Sequence, residues 1–484
     1  MGDRLRARDL AFLTAETPST PMHNATVEIF DPGTSGFDYA ALVALIGDRI
    51  AFVPRYRQRV RDVPGHLANP VWVDDPHFDL GFHVRRSALP RPGSLEQLRE
   101  LVARIVSRPL DRQRPLWEVY FVEGLADGRV AVLSKAHQAL VDGAQIVDLA
   151  QVLLDREPGR RDLGSDEWRP ERPLSSTGLV LEAVRDTVAA PLTTLDTVRG
   201  AADTALRGAD AATRRVGAVL NALANRRSEL DTPISGTLSQ QRRFVTLQRS
   251  LAEHRIVRDA HGGTVNDVIL ATVTGGLRAW LMTRAESLGG LRQVRAVVPV
   301  SVLDHDLEAT SLGTQIAAHF VDLPVGEPSP VVRLHQVSYS FKVHKDTGRA
   351  VAANRIAGIA GFAPSTFHAI GSRVAAEQVR RGFQLTVTNV PGPQSPLYAA
   401  GAVMEQTYPV PPLLPGHALA IGVTSYDGSV FYGVTADRDL IPDADMFGVC
   451  LSEALDELLD TSGDARPRVP RGRGRRNRKP VDGA

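Results

Sequence analysis

At 484 residues the chain is long enough for two or three globular units, since a domain averages about 150 residues. Hydrophobic residues make up 43% and charged residues 23%, with 41 glycines and 32 prolines, which excludes disordered, collagenous and coiled-coil classes. The formal charge is +1, but residues 466–484 hold eight basic side chains against one acid, so the tail's +7 leaves the body at −6, which is not the composition of a nucleic-acid binder.

The chain opens MGDRLRARDLAF, without the apolar stretch of a signal peptide, and no later window holds 18 uncharged apolar residues. Neither export by that route nor a membrane span is expected. Thr26–Phe30 reads as a strand, Tyr39–Phe52 as a helix and Arg129–Lys135 as a buried strand. Beyond Asp142-Gly143, the apolar residues Ile146, Val147, Leu149, Val152 and Leu153 return at helical spacing, so the chain goes strand, turn, helix. That is an α/β unit.

Residues 155–176 are charged and proline-rich, as a surface connection is. From Leu179 to Leu223 the apolar residues recur at helical spacing with breaks near Pro191 and Gly200, which predicts a helical crossover with its apolar stripe against a domain or, as the other reading, against a membrane. A second α/β unit begins near Gln241. Its expected elements are a strand at Arg243–Leu247, a helix at Val265–Leu281, and strands at Arg295–Val302, Gln315–Asp322, Gln384–Asn389, Ala418–Tyr426 and Ser429–Ala436.

The expected division is therefore an N-terminal domain over 1–160, a linker and crossover over 161–240, a C-terminal domain over 241–460 and a disordered basic tail over 461–484. The tail either solubilises the chain or is drawn to anionic lipid headgroups. The single cysteine, Cys450, allows neither an internal disulfide nor a multi-cysteine zinc site, which fits a reducing, cytoplasmic setting. A ligand site is expected in the cleft between the two halves.

Most local signatures of chemistry are missing: there is no GxSxG elbow, no GxxxxGK[ST] loop, no HExxH, and no GxGxxG after a strand. No metal and no resident cofactor is expected. What remains is Lys135-Ala136-His137-Gln138-Ala139-Leu140-Val141-Asp142-Gly143, where a strand ends and a helix begins, a place that exposes polar side chains on a rigid base. A histidine ahead of Asp-Gly is a weak signal by itself.

Its surroundings add to it. Thr20-Pro21-Met22-His23, Val53 to Arg59, Pro115-Leu116-Trp117-Glu118, Glu123-Gly124-Leu125, the HQALVDG block, Val265 to Leu270, Val298-Pro299-Val300-Ser301, Asn389-Val390-Pro391-Gly392-Pro393 and Ser425-Tyr426 follow one another over Leu5 to Leu459. In that order the chain resembles the bacterial wax ester synthase/acyl-CoA:diacylglycerol acyltransferase family. The resemblance implies an α/β fold of two chloramphenicol-acetyltransferase-like domains (the CoA-dependent acyltransferase fold) joined by a helical crossover, with the active site in a tunnel between them. It also implies transfer of a fatty acyl group from acyl-CoA, a co-substrate, to diacylglycerol or a long-chain alcohol, giving triacylglycerol or wax ester, at a membrane or lipid-droplet surface in the cytoplasm.

In the family the block reads HHxxxDG, with the second histidine as general base on the acceptor hydroxyl. Carried onto this chain, the catalytic positions are His137, Gln138, Asp142 and Gly143, and the tunnel positions are Asn266, Asp267, Pro115, Leu116, Trp117 and Asn389. Asn266-Asp267 has a second reading as the N-cap of the following helix, and Pro115-Leu116-Trp117 a second reading as packing. Two positions depart from the pattern. Gln138 stands where the base is expected, and an amide cannot hold a proton at neutral pH. Leu303 stands where the family commonly has arginine, so Asp142 needs another partner, for which Arg295 is one choice.

Three expectations follow: His137 swings in as the base, the reaction runs slowly on positioning and oxyanion donors alone, or the protein binds acyl-CoA or lipid without turnover. A condensation-type acyltransferase acting on carrier-protein thioesters shares the His-Asp-Gly block, but no fused carrier domain is marked.

Overall fold

The computed structural model describes residues 3–5, 7–64, 69–140, 153–159, 168–171, 175, 177–178, 232–284, 293–302, 315–346 and 383–463. Asp142, Gly143, the helix expected beyond them, Leu303, most of the 161–240 segment and the basic tail lie outside these residues.

The first half runs β1 (Asp3–Arg4), α1 (Ala7–Ala15), β2 (His23–Asp31), α2 (Tyr39–Arg49), β3 (Gln58–Arg61), β4 (Val71–Asp74), the single turn α3 (Leu80–His83), β5 (Val84–Ala88), α4 (Leu95–Val106), β6 (Trp117–Glu123) and β7 (Val130–His137). The second runs β8 (Arg242–Ser250), α5 (Leu251–His261), α6 (Val265–Thr283), β9 (Val294–Val302), β10 (Gln315–Leu323), α7 (Pro330–Asp346), β11 (Leu385–Pro391), β12 (Tyr398–Ala399), β13 (Ala402–Val410), β14 (Leu419–Tyr426), β15 (Ser429–Asp437) and α8 (Ala444–Asp460).

Local chemistry explains these elements. α4 opens on a reciprocal cap between Ser94 and Gln97, buries Leu98, Val102, Ile105 and Val106, and turns Glu96, Glu100 and Arg104 outward at four-residue spacing. α2 ends at Arg49 and not at Phe52 as the periodicity suggested. Val53 precedes a proline and leaves the helical region, so residues 50–52 tighten into a 3-10 turn. Every residue of β7 is buried, because the strand is covered on both faces.

Two six-stranded sheets carry the fold, in the orders β12-β13-β2-β7-β6-β5 and β10-β9-β11-β14-β15-β8. Chain order and sheet membership part at residues 398–410. β13 comes from the second half yet pairs with β2, Tyr408 opposite Val27 and Val410 opposite Ala25. It had no strand signature in the sequence, since a bulge between Met404 and Gln406 breaks its alternation and Pro409 interrupts it. β13 also lies across β15. A Cβ on Gly433 would meet the Pro409 carbonyl oxygen at 1.7 Å, so the crossing is backbone on backbone.

Behind the second sheet, α6 packs on α8 through small residues: a Cβ on Gly276 would stand 2.7 Å from Leu451, and one on Gly275 would stand 2.9 Å from Ala454. No helix of the described residues is long and apolar enough to cross a membrane.

Candidate active site

The HQAL turn closes β7. His137 is the last residue of the strand, paired with His23 of β2, and its peptide N–H donates to Leu116 C=O at 2.9 Å. The Gln138 N–H donates to Met22 C=O at 3.0 Å, and Leu140 N–H closes the turn onto His137 C=O at 2.9 Å.

The His137 ring is held to the turn through Nδ1. Its Nδ1 accepts the Ala139 N–H at 3.0 Å, so that nitrogen carries no proton and the neutral ring is protonated at Nε2. Nε2 stands 3.7 Å from Glu16 Oε1. Burial pulls the imidazole down from 6.5 to about 4, with Glu16 opposing and Arg112 reinforcing the shift. His137 is therefore neutral at working pH, and in this arrangement it has no lone pair free for a substrate proton.

Gln138 is 0% exposed, and neither its Oε1 nor its Nε2 has a hydrogen-bond partner among the described residues. A buried amide left in this state costs about 1–3 kcal/mol, which protein interiors rarely tolerate without use. One face of this amide would accept a hydroxyl proton donor, and the other would donate to an oxyanion.

On the opposite face of β7 from Ala136, Lys135 shares the side of His137 at the two-residue period. Its Nζ donates to Ile105 C=O at 3.2 Å and Arg108 C=O at 2.5 Å, at the carbonyl end of α4, and lies 3.7 Å from Glu118. Burial lowers this ammonium to about 8. His23 donates from Nε2 to Val106 C=O at 2.8 Å. Lys135 and His23 thus clamp the end of α4 against the sheet. His23 also lines a small cavity at the seam of the two sheets, with Arg242 and Thr435 from the second sheet. Among the described residues, no group of three His, Cys, Asp or Glu side chains is placed to hold a metal ion.

Pro115, Leu116 and Trp117 lie beside the turn and are all buried. Trp117 pairs with Ala136, donates from Nε1 to Tyr56 C=O at 2.7 Å, and stacks on His83 at 4.6 Å. These contacts are those of a packed side chain. Asn266 and Asn389 come together from the start of α6 and from β11, Nδ2 of Asn389 donating to Oδ1 of Asn266 at 2.9 Å.

The N-cap expected at Asn266 or Asp267 is instead Thr264. Asp267 sits three residues on and returns the bond to the Thr264 N–H at 2.8 Å, because a threonine at the cap with an acid at the third helical position satisfies two free amides at once. Arg295 pairs with Asp322, Nε to Oδ1 at 2.7 Å. Asp142, for which Arg295 was considered, lies outside the described residues. Sequence reading missed Glu16 and gave no site role to Glu118 or Lys135, although both stood in the quoted motifs and the two-residue period of β7 placed Lys135 beside His137.

A family model described as the wax ester synthase/diacylglycerol acyltransferase catalytic domain matches residues 5–269, and the WS/DGAT C-terminal domain model matches residues 312–459. The chain belongs to the wax ester synthase/diacylglycerol acyltransferase family. A putative diacylglycerol O-acyltransferase of Mycobacterium tuberculosis (strain CDC 1551 / Oshkosh) is 32% identical over 476 residues, covering 96% of this chain and 91% of its own. The probable diacylglycerol O-acyltransferase tgs1 of M. tuberculosis (strain H37Rv) is 31% identical over 437 residues, covering 90% and 91%.

Among solved structures, the wax ester synthase/diacylglycerol acyltransferase from Marinobacter aquaeolei VT8 superposes with a TM-score of 0.66 at 26% identity, covering 95% of this chain and all of that one. The first condensation domain of the CDA synthetase shares the fold alone, with a TM-score of 0.54 at 15% identity over 96% of this chain and 97% of its own. The two-sheet α/β architecture of this wax ester synthase/diacylglycerol acyltransferase family member is thus the one expected from its sequence blocks.

Proposed function

We propose that this chain transfers a fatty acyl group from acyl-CoA to the hydroxyl of diacylglycerol or a long-chain alcohol, with Gln138 as a positioning amide in the place of the base. The observation that carries this reading is the buried Gln138 amide at the end of β7, without a hydrogen-bond partner among the described residues, in a chain of this family. In the step, the acceptor oxygen attacks the thioester carbonyl, the new C–O bond forms as the C–S bond breaks, and the acceptor's proton leaves to solvent as CoA departs and becomes a thiol. Gln138 Oε1 accepts from the attacking hydroxyl, and Nε2 donates to the developing oxyanion. A missing general base costs about 10²–10⁴-fold in rate.

A second reading, acyl-CoA or lipid binding without turnover, is favoured by one observation: the His137 Nδ1 lone pair is already taken by the Ala139 N–H. The two readings separate in an assay of labelled palmitoyl-CoA with dioleoylglycerol and with hexadecanol, using wild type, His137→Ala and Gln138→His. Slow turnover by wild type, raised at least about 10²-fold by Gln138→His, is the expected result. An inert wild type beside an active Gln138→His would make the binding reading the better one, and inactivity of both would overturn acyl transfer.

Its lipid substrates and the +7 charge over 466–484 support a place in the cytoplasm at membrane or droplet surfaces. Wild type is expected to float with phosphatidylserine vesicles at low salt and to lose most of that binding on deletion of 466–484. Equal flotation of the two would remove the tail from this account.

A further inference from the structure

The loop that presents Gln138 is tied to one carboxylate. Glu16, just beyond α1, has a side chain only 5% exposed. Its Oε1 accepts the Met22 N–H at 3.0 Å, and its Oε2 accepts from Arg112 Nη2 at 2.7 Å and Nε at 3.1 Å. Met22 in turn accepts the Gln138 N–H through its carbonyl, in the next peptide unit, at 3.0 Å, and Oε1 lies 3.7 Å from His137 Nε2. Glu16 thus reaches Gln138 through the Met22 backbone and faces the ring of His137.

The Ala139 bond selects a tautomer, and the Glu16 carboxylate faces the nitrogen that then carries the proton. With the proton on Nε2, the ring offers a donor to the carboxylate and a lone pair to the Ala139 N–H. With the proton on Nδ1, a lone pair would face the carboxylate and an N–H would face the Ala139 N–H, two repulsive contacts in a buried site where neither is screened by water. Without the Ala139 bond, nothing among the described residues holds the ring to the turn that carries the Gln138 amide.

We propose that Glu16 is a positioning residue for acyl transfer: by holding the Nε2-protonated tautomer of His137 and the Met22 peptide, it sets the aim of the Gln138 amide. The consequence for rate rests on the acyl-transfer reading above; the consequence for the tautomer does not.

The test uses full-length protein labelled with ¹⁵N-histidine, long-range ¹H–¹⁵N spectra assigned with His137→Gln, and Glu16→Gln as the variant. That change keeps the size of the side chain, and with its amide oxygen held by the two Arg112 donors its N–H faces His137 Nε2. Wild type is expected to show the His137 ring protonated at Nε2, and Glu16→Gln to populate the Nδ1-protonated form. In the palmitoyl-CoA assay, Glu16→Gln should lower kcat by about 10²-fold, the scale of a 1 Å misplacement, with KM for palmitoyl-CoA changed less than twofold. Arg112→Gln, which leaves the carboxylate in place, should retain the wild-type tautomer.

An unchanged tautomer in Glu16→Gln would overturn the proposal. So would an Nδ1-protonated ring in wild type, a measurement that needs no variant to fold. Should wild type and every variant prove inert toward acyl-CoA, the acyl-transfer reading fails while the spectra still decide what Glu16 does to His137.

Discussion

Lowering the pH from 7 to 4 is expected to unfold the protein. Five buried histidines, His23, His83, His137, His254 and His417, all have their pKa lowered from 6.5, burial being the largest cause in each. His254 shows why such rings stay neutral: it contacts Ser250 C=O through Nδ1 at 2.8 Å, so that nitrogen donates, and Nε2 is left to accept from the Tyr432 hydroxyl at 2.7 Å. A second proton would oppose that hydroxyl bond and place a charge in the core.

A folded pKa below the unfolded one means that the unfolded chain takes up protons first. The stability is complete above about pH 6.5 and drains away as the pH falls toward the folded value. For His137 and His254, both brought to about 4, the loss is about 3 kcal/mol each. Together that is comparable with the 5–15 kcal/mol that holds a typical domain. Urea midpoints followed by circular dichroism at pH 7, 6, 5 and 4.5 should fall steeply below 6.5, and His254→Gln should flatten the curve. A midpoint constant between pH 6.5 and 5 would mean that these rings are not neutral in the fold.

Gly433→Ala is the substitution expected to do most harm. Gly433 is paired on both sides, with Gly422 of β14 and Thr246 of β8, so β15 cannot retreat there. The Cβ would stand 1.7 Å from the Pro409 oxygen and 2.9 Å from its carbonyl carbon, and Pro409 is itself held opposite Thr26. Relief requires moving β13 away from β15, and with it the seam between the sheets. Overpacking commonly costs about 1–3 kcal/mol, and a backbone clash of this kind belongs at or above the upper end. Gly159→Ala is the control, because a Cβ there meets nothing within 4 Å; it should be neutral within about 0.5 kcal/mol. Thermal melts of the two variants against wild type make the comparison. A Gly433→Ala protein that melts like wild type would show that the crossing can open without loss.

Much of this fold was legible one segment at a time. Thr26–Phe30, Arg243–Leu247, Arg295–Val302, Gln315–Asp322 and Ser429–Ala436 fall inside observed strands, Arg129–Lys135 and Ala418–Tyr426 start one residue before theirs, and Val265–Leu281 lies inside α6. Apolar spacing is a local property, fixed by how often a side chain returns to one face, and it survives whatever the rest of the chain does. The HQALVDG block was equally visible, since a motif keeps its order in the chain, and with it came the family and the absence of a histidine at 138.

What tertiary structure alone decided are the relations between distant segments. β13 joins the first sheet across more than 370 residues of chain through backbone hydrogen bonds, which carry no residue signature, and its own pattern is broken by a bulge. Asn266 meets Asn389 across 123 residues. The proton on His137 is assigned by the Ala139 N–H on one side and by Glu16 on the other, 121 positions earlier. Local pattern states which face is apolar; which polar group ends opposite which is settled only when burial removes water and each donor must find a partner.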